Sequence, residues 1–380
     1  GARGDRSAFR RRSGVRPPLV ILLPAAVVAA AMLVPLLYLI VRASEAGFGI
    51  WELVFRARTA MILKNTVVLA GAVSGAVALI GVPLAWLTAR TDLPLRRLWS
   101  MVGALPLVIP SYVGALTVVA ALGPKGRLQA ALEGPFGVER LPEIYGFFGA
   151  WLTLTIFTYP YVFVSVRAAL RGLDPSLEEA ARGVGYGAWR TFFLTTLRQL
   201  RPAVVAGALL TALYTVSDFG VVTLLRYDAF TRAIYVQYRS SFDRTLAAAL
   251  ALILIVFALM LLAVEARFRG RAAYHRLGSG AARRAGPGPL GGGRYPAPAF
   301  CARVFALSLG MPLGVLGYWL SRSLSRGETI DNLSSAAMHS VTVGVWAAGV
   351  ATLAALPIAI LAVRYRGRAA SWIERICYLG

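Results

Sequence analysis

Leu246-Ala247-Ala248-Ala249-Leu250-Ala251-Leu252-Ile253-Leu254-Ile255-Val256-Phe257-Ala258-Leu259-Met260-Leu261-Leu262-Ala263-Val264 contains no charged or strongly polar side chain. A run of about 20 apolar residues matches the hydrocarbon thickness of a bilayer when it is helical. Backbone groups in lipid find no water, so the run satisfies itself as a helix. Seven further stretches read the same way: Leu19 to Val41, Ile62 to Ala89, Leu98 to Leu122, Tyr145 to Leu170, Pro202 to Leu225, Val304 to Leu320 and Ser340 to Val363. A ninth starts near Ile373. The strict alternation of barrel strands is absent. The fold class expected is therefore an all-α polytopic membrane bundle.

Composition agrees. Hydrophobic residues make up 58% of the 380 and charged residues 15%, against about 25% charged in a soluble domain. The net charge of +23 would suggest nucleic-acid binding in a soluble protein. Here the basic residues fall mostly in the N-terminal tail, in alternate loops and after the eighth span. By the positive-inside rule those segments, and the N-terminus, are expected in the cytoplasm. The two cysteines, Cys301 and Cys377, and two histidines, His275 and His339, exclude a disulfide scaffold and a thiolate zinc cage. No cofactor, metal site or catalytic set is expected.

A constant offset of 274 aligns Asn65-Thr66-Val67-Val68 with His339-Ser340-Val341-Thr342. It also pairs Leu79 with Leu353, Pro83 with Pro357, Ala85 with Ala359, Leu87 with Leu361 and Arg90 with Arg364. The second and eighth spans run in the same direction, so the repeat is parallel and unlike the inverted-repeat transporters. The division expected is a basic tail 1–17, a first six-span half 18–265 with a loop at 171–200, a Gly/Pro/Arg-rich linker 266–299, and the start of a second half, 300–380. The same offset, added to the first half, points to a second half longer than these residues. The chain is accordingly expected to be a fragment of a longer fused protein.

The loop between the fourth and fifth spans reads Asp174-Pro175-Ser176-Leu177-Glu178-Glu179-Ala180-Ala181-Arg182-Gly183-Val184-Gly185-Tyr186-Gly187. Asp174 suits a helix N-cap and Pro175 the first helical position. Glu178 and Glu179 sit where the helix dipole favours negative charge. Gly183, Gly185 and Gly187 end the helix and tolerate positive φ. A second amphipathic helix, Trp189 to Leu200, leads back to the membrane. Small Ala and Gly side chains let another protein approach closely, which is the shape of a docking element.

Glu179-Ala180-Ala181 followed by Gly185 resembles the EAA loop of ABC-transporter permeases from binding-protein-dependent importers. In that motif, nine residues after the glycine, Ile-x-Leu-Pro follows; here Thr195-Thr196-Leu197-Arg198 stands in its place. Asp218-Phe219-Gly220-Val221-Val222 and Arg226-Tyr227-Asp228-Ala229-Phe230 resemble the ferric-iron branch, whose members are commonly two fused halves. The resemblance implies a six-span permease fold, a coupling helix over Asp174 to Gly185, and ATPase contact through Asp174, Glu178, Glu179, Ala180, Ala181 and Gly185. It implies two kinds of partner, a separate ATP-binding cassette ATPase and a periplasmic or extracellular substrate-binding protein. The sequence holds no Walker A pattern.

Other polar residues allow two readings. Asp218, in the expected fifth span, is either a cation-attracting pathway group with Tyr214 and Ser217, or a structural hydrogen-bond partner at a helix end. Pro83, Pro106, Pro110 and Pro160 kink their spans; Pro110-Ser111-Tyr112 and Tyr159-Pro160-Tyr161 either shape a gate or only bend the chain. The loop Tyr227 to Arg244 fits a binding-protein contact or an interfacial aromatic belt. A proton-coupled secondary carrier with parallel six-span halves competes as a function. The loop Arg90-Thr91-Asp92-Leu93-Pro94-Leu95-Arg96-Arg97 lacks the glycines typical of those carriers. Thiamine, sulfate or polyamine cargo competes with ferric iron.

Overall fold

The computed structural model describes residues 12–13, 17–45, 47, 52, 55–124, 126–137, 141–173, 176–240, 244–272, 290–327, 331–366, 372–373 and 376–377. Among the described residues, seven helices are long and apolar enough to cross a membrane, or eight if one bent pair counts as a single span. In chain order the helices are α1 (Leu19–Glu45), α2 (Ala57–Arg90), α3 (Arg96–Val102), α4 (Ser111–Leu122), α5 (Arg127–Phe136), α6 (Phe147–Gly172), α7 (Ser176–Gly183), α8 (Ala188–Thr191), α9 (Leu197–Ser217), α10 (Gly220–Leu224), α11 (Phe230–Ser240), α12 (Thr245–Ala272), α13 (Pro296–Phe305), α14 (Met311–Ser325) and α15 (Asp331–Arg364). Residue contacts group the chain into two units: Phe48–Leu320, and Gly1–Gly47 together with Ser321–Gly380.

The larger unit is built around α6. Its middle is the most buried stretch of the described chain, with Tyr159, Val162, Phe163 and Val166 fully enclosed. Helices in lipid gain little from apolar burial, because the tails are as apolar as the side chains. Close packing and interhelical hydrogen bonds hold them together instead. The close packing is visible at Val162. A Cβ on Gly81 of α2 would stand 3.0 Å from the Val162 Cβ and 2.9 Å from the Phe163 backbone nitrogen. A Cβ on Gly207 of α9 would stand 2.8 Å from the Val162 Cα. Glycine on both flanks lets α2 and α9 press against one point of α6. Two polar links join the same three-helix core: Ser74 Oγ donates to the Ala208 carbonyl at 3.0 Å, and Trp151 Nε1 donates to the Ala72 carbonyl at 3.2 Å.

The third expected span, Leu98 to Leu122, is broken. Its two arms, Arg96–Val108 and Ser111–Ala130, meet at 100°. Pro106 and Pro110 each remove a backbone donor and oppose continuation of a straight helix, and a 3₁₀ turn, Leu105–Val108, precedes the corner. The fifth expected span, Pro202 to Leu225, stops at Ser217 instead. Asp218 is extended, and its carboxylate Oδ1 accepts the Val221 N–H at 2.8 Å, so it caps the short α10. The sixth expected span, α12, runs past Glu265 to Ala272, into the expected linker; residues 273–289 lie outside the described set. The seventh expected span, Val304 to Leu320, lies within a longer helical run of α13, a π-turn (Ala306–Gly310) and α14. Phe305 of α13 stacks on Trp99 of α3, ring centroids 5.0 Å apart.

In the smaller unit α1 lies against α15, with Ala25, Ala29, Leu361 and Ile373 at the contact. The expected ninth span is described only at 372–373 and 376–377, which are helical. Arg12–Ser13 pairs in parallel with Tyr365–Arg366.

Candidate functional site

The loop 171–200 leaves α6 at Gly172, beside the Arg90 end of α2, where Arg90 Nη2 donates to the Leu173 carbonyl at 3.3 Å. Asp174 lies outside the described residues. From Ser176 the chain forms α7, with Glu178 and Glu179 in the first turn. Polarity is sharply one-sided along this short helix. Glu179 and Ala180 are exposed, whereas Glu178 and Ala181 are half-buried.

The end of α7 is a glycine cap. The Tyr186 N–H bonds the Ala181 carbonyl at 3.1 Å, with Gly185 at φ +88° between them. That 6→1 bond around a left-handed residue is the Schellman arrangement, in which glycine avoids the Cβ penalty. Among the three glycines expected to use positive φ here, Gly185 does so; Gly183 and Gly187 do not. Among the described residues nothing lies within 4 Å of a Cβ placed on Gly185, and its role is conformational. The reversal is braced by Arg190, whose guanidinium sits 4.3 Å from the Tyr186 ring centroid.

The chain then enters α9 through a π-turn, Phe192–Thr196. Thr196 is buried, 2% exposed, and its Oγ1 donates to Glu178 Oε1 at 2.9 Å. The two glutamates of α7 therefore differ in kind. One faces inward and is held by the membrane helix, and the other is free at the surface. Sequence reading grouped both with the docking residues and passed over Thr196. The available signal was a polar Thr195-Thr196 pair where the importer motif begins Ile-x.

At the other end of α9, Ser111 neighbours Tyr214 and Asp218. Ser111 opens α4 directly after the corner at Pro110. The Tyr161 and Tyr214 rings stand 5.8 Å apart. Ser217 is exposed and donates to the Tyr214 carbonyl of its own helix at 3.0 Å. The breaks of two helices thus meet at one cluster of oxygen atoms, and the Asp218 carboxylate within it is engaged by capping. Thr231 Oγ1 donates to the Asp218 carbonyl at 2.7 Å, which ties α11 to the same turn.

The family model for the binding-protein-dependent transport system inner membrane component matches residues 81–271. The chain is 32% identical over 369 residues to the Fe(3+)-transport system permease protein FbpB 2 of Haemophilus influenzae, covering 96% of this chain and 69% of that one. It is 33% identical over 140 residues to the molybdenum transport system permease protein ModB of Escherichia coli K12, covering 37% and 60% respectively. A solved bacterial alginate ABC transporter, in complex with a periplasmic protein bound to an alginate pentasaccharide, has a chain of similar fold. Its TM-score is 0.50 at 17% identity, over 66% of this chain and 93% of that one. The matched region holds α7, its glycine cap, the π-turn and the whole of α9, and the chain belongs to the family of binding-protein-dependent transport system inner membrane components, the permeases of ABC importers.

Proposed function

We propose that the chain forms the translocation path of an ATP-driven importer for ferric iron and is worked by a separate ATPase that seats on α7. The observation that carries this reading is the exposed Glu179–Ala180 edge of a glycine-capped helix that is hydrogen-bonded to a membrane span. Glu179, Ala180 and Gly185 form the docking edge, with Ala181 half-buried beside it, and Asp174 precedes it in the loop. ATP hydrolysis belongs to the partner subunit, and a substrate-binding protein delivers cargo at the opposite face. The iron assignment leans on the relative from Haemophilus influenzae, whose name specifies Fe(3+) transport. Hard ferric iron prefers oxygen ligands, and Tyr214 and Asp218 place oxygens where two broken helices meet.

The N-terminal tail and the α7 loop lie in the cytoplasm in this reading, since both carry the basic bias of inward-facing segments. Residues 18–265 act as one permease half, and 300–380 as the start of a second. The matched bounds of α2 and α15, both 34 residues long and offset by 274, support that division. Co-purification with the ATPase tests the docking edge. Glu179→Lys is expected to lower ATPase recovery and uptake at least tenfold while the permease stays folded. Full recovery with normal uptake contradicts the assignment.

A further inference from the structure

Threonines within membrane helices ordinarily turn their hydroxyls back onto their own helix, to a carbonyl three or four residues earlier. Thr66, Thr88, Thr117, Thr158 and Thr211 all do so here, at 2.6–3.0 Å. Thr196 does not. Its hydroxyl leaves the helix and reaches the carboxylate of Glu178, eighteen positions earlier, on α7. It does so from the last residue of a π-turn, where the backbone has changed from the i→i+4 to the i→i+5 pattern and the Leu197 N–H bonds the Phe192 carbonyl. Such single-turn insertions re-aim side chains and mark functional positions more often than chance. Phe192 of the same turn packs its ring 5.4 Å from that of Trp86 on α2. Phe192 and Phe193 line an apolar groove of about 430 Å³ with Leu79, Pro83 and Trp86, which leaves the turn room to shift.

We propose that Thr196 is a positioning residue for transport, the tie through which movement of α7 is passed to α9. This rests on the importer reading above. The argument is mechanical. α7 has a free outer edge and a short inner one, and the described side-chain bond from its first turn to the bundle is Glu178 to Thr196. A charge-assisted bond to a buried hydroxyl is short and directional. α9 then carries any displacement along its 21 residues, about 30 Å, to Ser217 and the Asp218 turn. Glu179 takes the ATPase, and Glu178 takes hold of the span.

The test uses the assembled importer in proteoliposomes with Ser217→Cys as a reporter at the far end of α9. Labelling by a membrane-impermeant maleimide is followed with and without ATP plus vanadate, after subtraction of the parent that keeps Cys301 and Cys377. In the reporter parent, nucleotide is expected to change the labelling rate at least threefold. Thr196→Val keeps the β-branched shape and loses the donor; it is expected to abolish that response and lower ⁵⁵Fe(III) uptake per ATP at least fivefold, with the ATPase still bound. Thr196→Ser restores both. Glu178→Ala matches Thr196→Val, and the double variant is no worse than either single one. If Thr196→Val does not assemble, Glu178→Ala against Glu178→Gln decides, because the amide oxygen still accepts the bond. A reporter parent that ignores nucleotide breaks the importer reading and the tie with it. A responsive parent with an equally responsive Thr196→Val, or additive losses in the double variant, breaks the tie alone.

Discussion

α2 and α15 begin and end at equivalent positions, each 34 residues long, with Pro83 matching Pro357 and Arg90 matching Arg364. Their surroundings differ. In α2 the positions Val73, Val77, Leu84 and Ala85 are fully buried. Along α15 nearly every described side chain is exposed, Trp346 at 72% and Leu353 at 69%, and the packed end lies near Leu361. Apolar residues therefore identify a span without telling which of its faces meets protein. What distinguishes α2 is a set of small and polar groups: Gly81 at the crossing with α6, Ser74 bonded to α9, and Asn65, whose side-chain amide donates to the Asp228 carbonyl at 3.1 Å. The register mates of the first two are Ala355 and Ala348, and neither could make the same contact.

Substitution at the α6 crossing separates the two helices most widely. Gly81→Leu drives a side chain into the Phe163 backbone and is expected to cost about 3 kcal/mol or more, read as a collapse of the melting temperature in detergent. Made in these 380 residues, Ala355→Leu, at the equivalent exposed position, is expected to leave the melting temperature unchanged. A smaller gap is expected in the N-terminal part of the two helices. Thr66 Oγ1 accepts the buried Phe230 N–H at 3.1 Å while donating to Ile62. Thr66→Val orphans that N–H at about 1–2 kcal/mol, whereas Ser340→Ala, which loses only a bond to its own helix at Ala336, shifts stability by about 0.5 kcal/mol or less. Leu79 and Leu353 face outward on both helices, 78% and 69% exposed, and serve as the matched control in which truncation to alanine changes neither.

Much of this architecture was legible in the residues. Runs of apolar side chains without strict alternation place the seven long helices among the described residues, because a backbone in lipid that does not close into a barrel must satisfy itself as a helix. The Ala/Gly loop announces its helix and its cap through Glu178, Glu179 and Gly185, since each obeys a local rule. Pro106 and Pro110 announce a disturbance, but the 100° corner depends on what packs against both arms. Asp218 allows two readings from sequence because a carboxylate near a span's end can cap a helix or face a pathway; the bond to Val221 shows the cap. The Thr195-Thr196 pair is a visible polar departure from the importer motif, but the partner Thr196 takes is set by a π-turn that no residue pattern in 192–196 signals.

The proposed docking of a separate ATPase on α7 requires that helix to face the inside of the cell. A cysteine at its exposed edge, Ala180→Cys, tests this directly with a membrane-impermeant maleimide. The reagent is expected to spare intact cells, to modify inverted membrane vesicles, and to be blocked there at least fivefold when the ATPase is bound. Modification in intact cells, or equal modification of vesicles with and without the ATPase, contradicts the account.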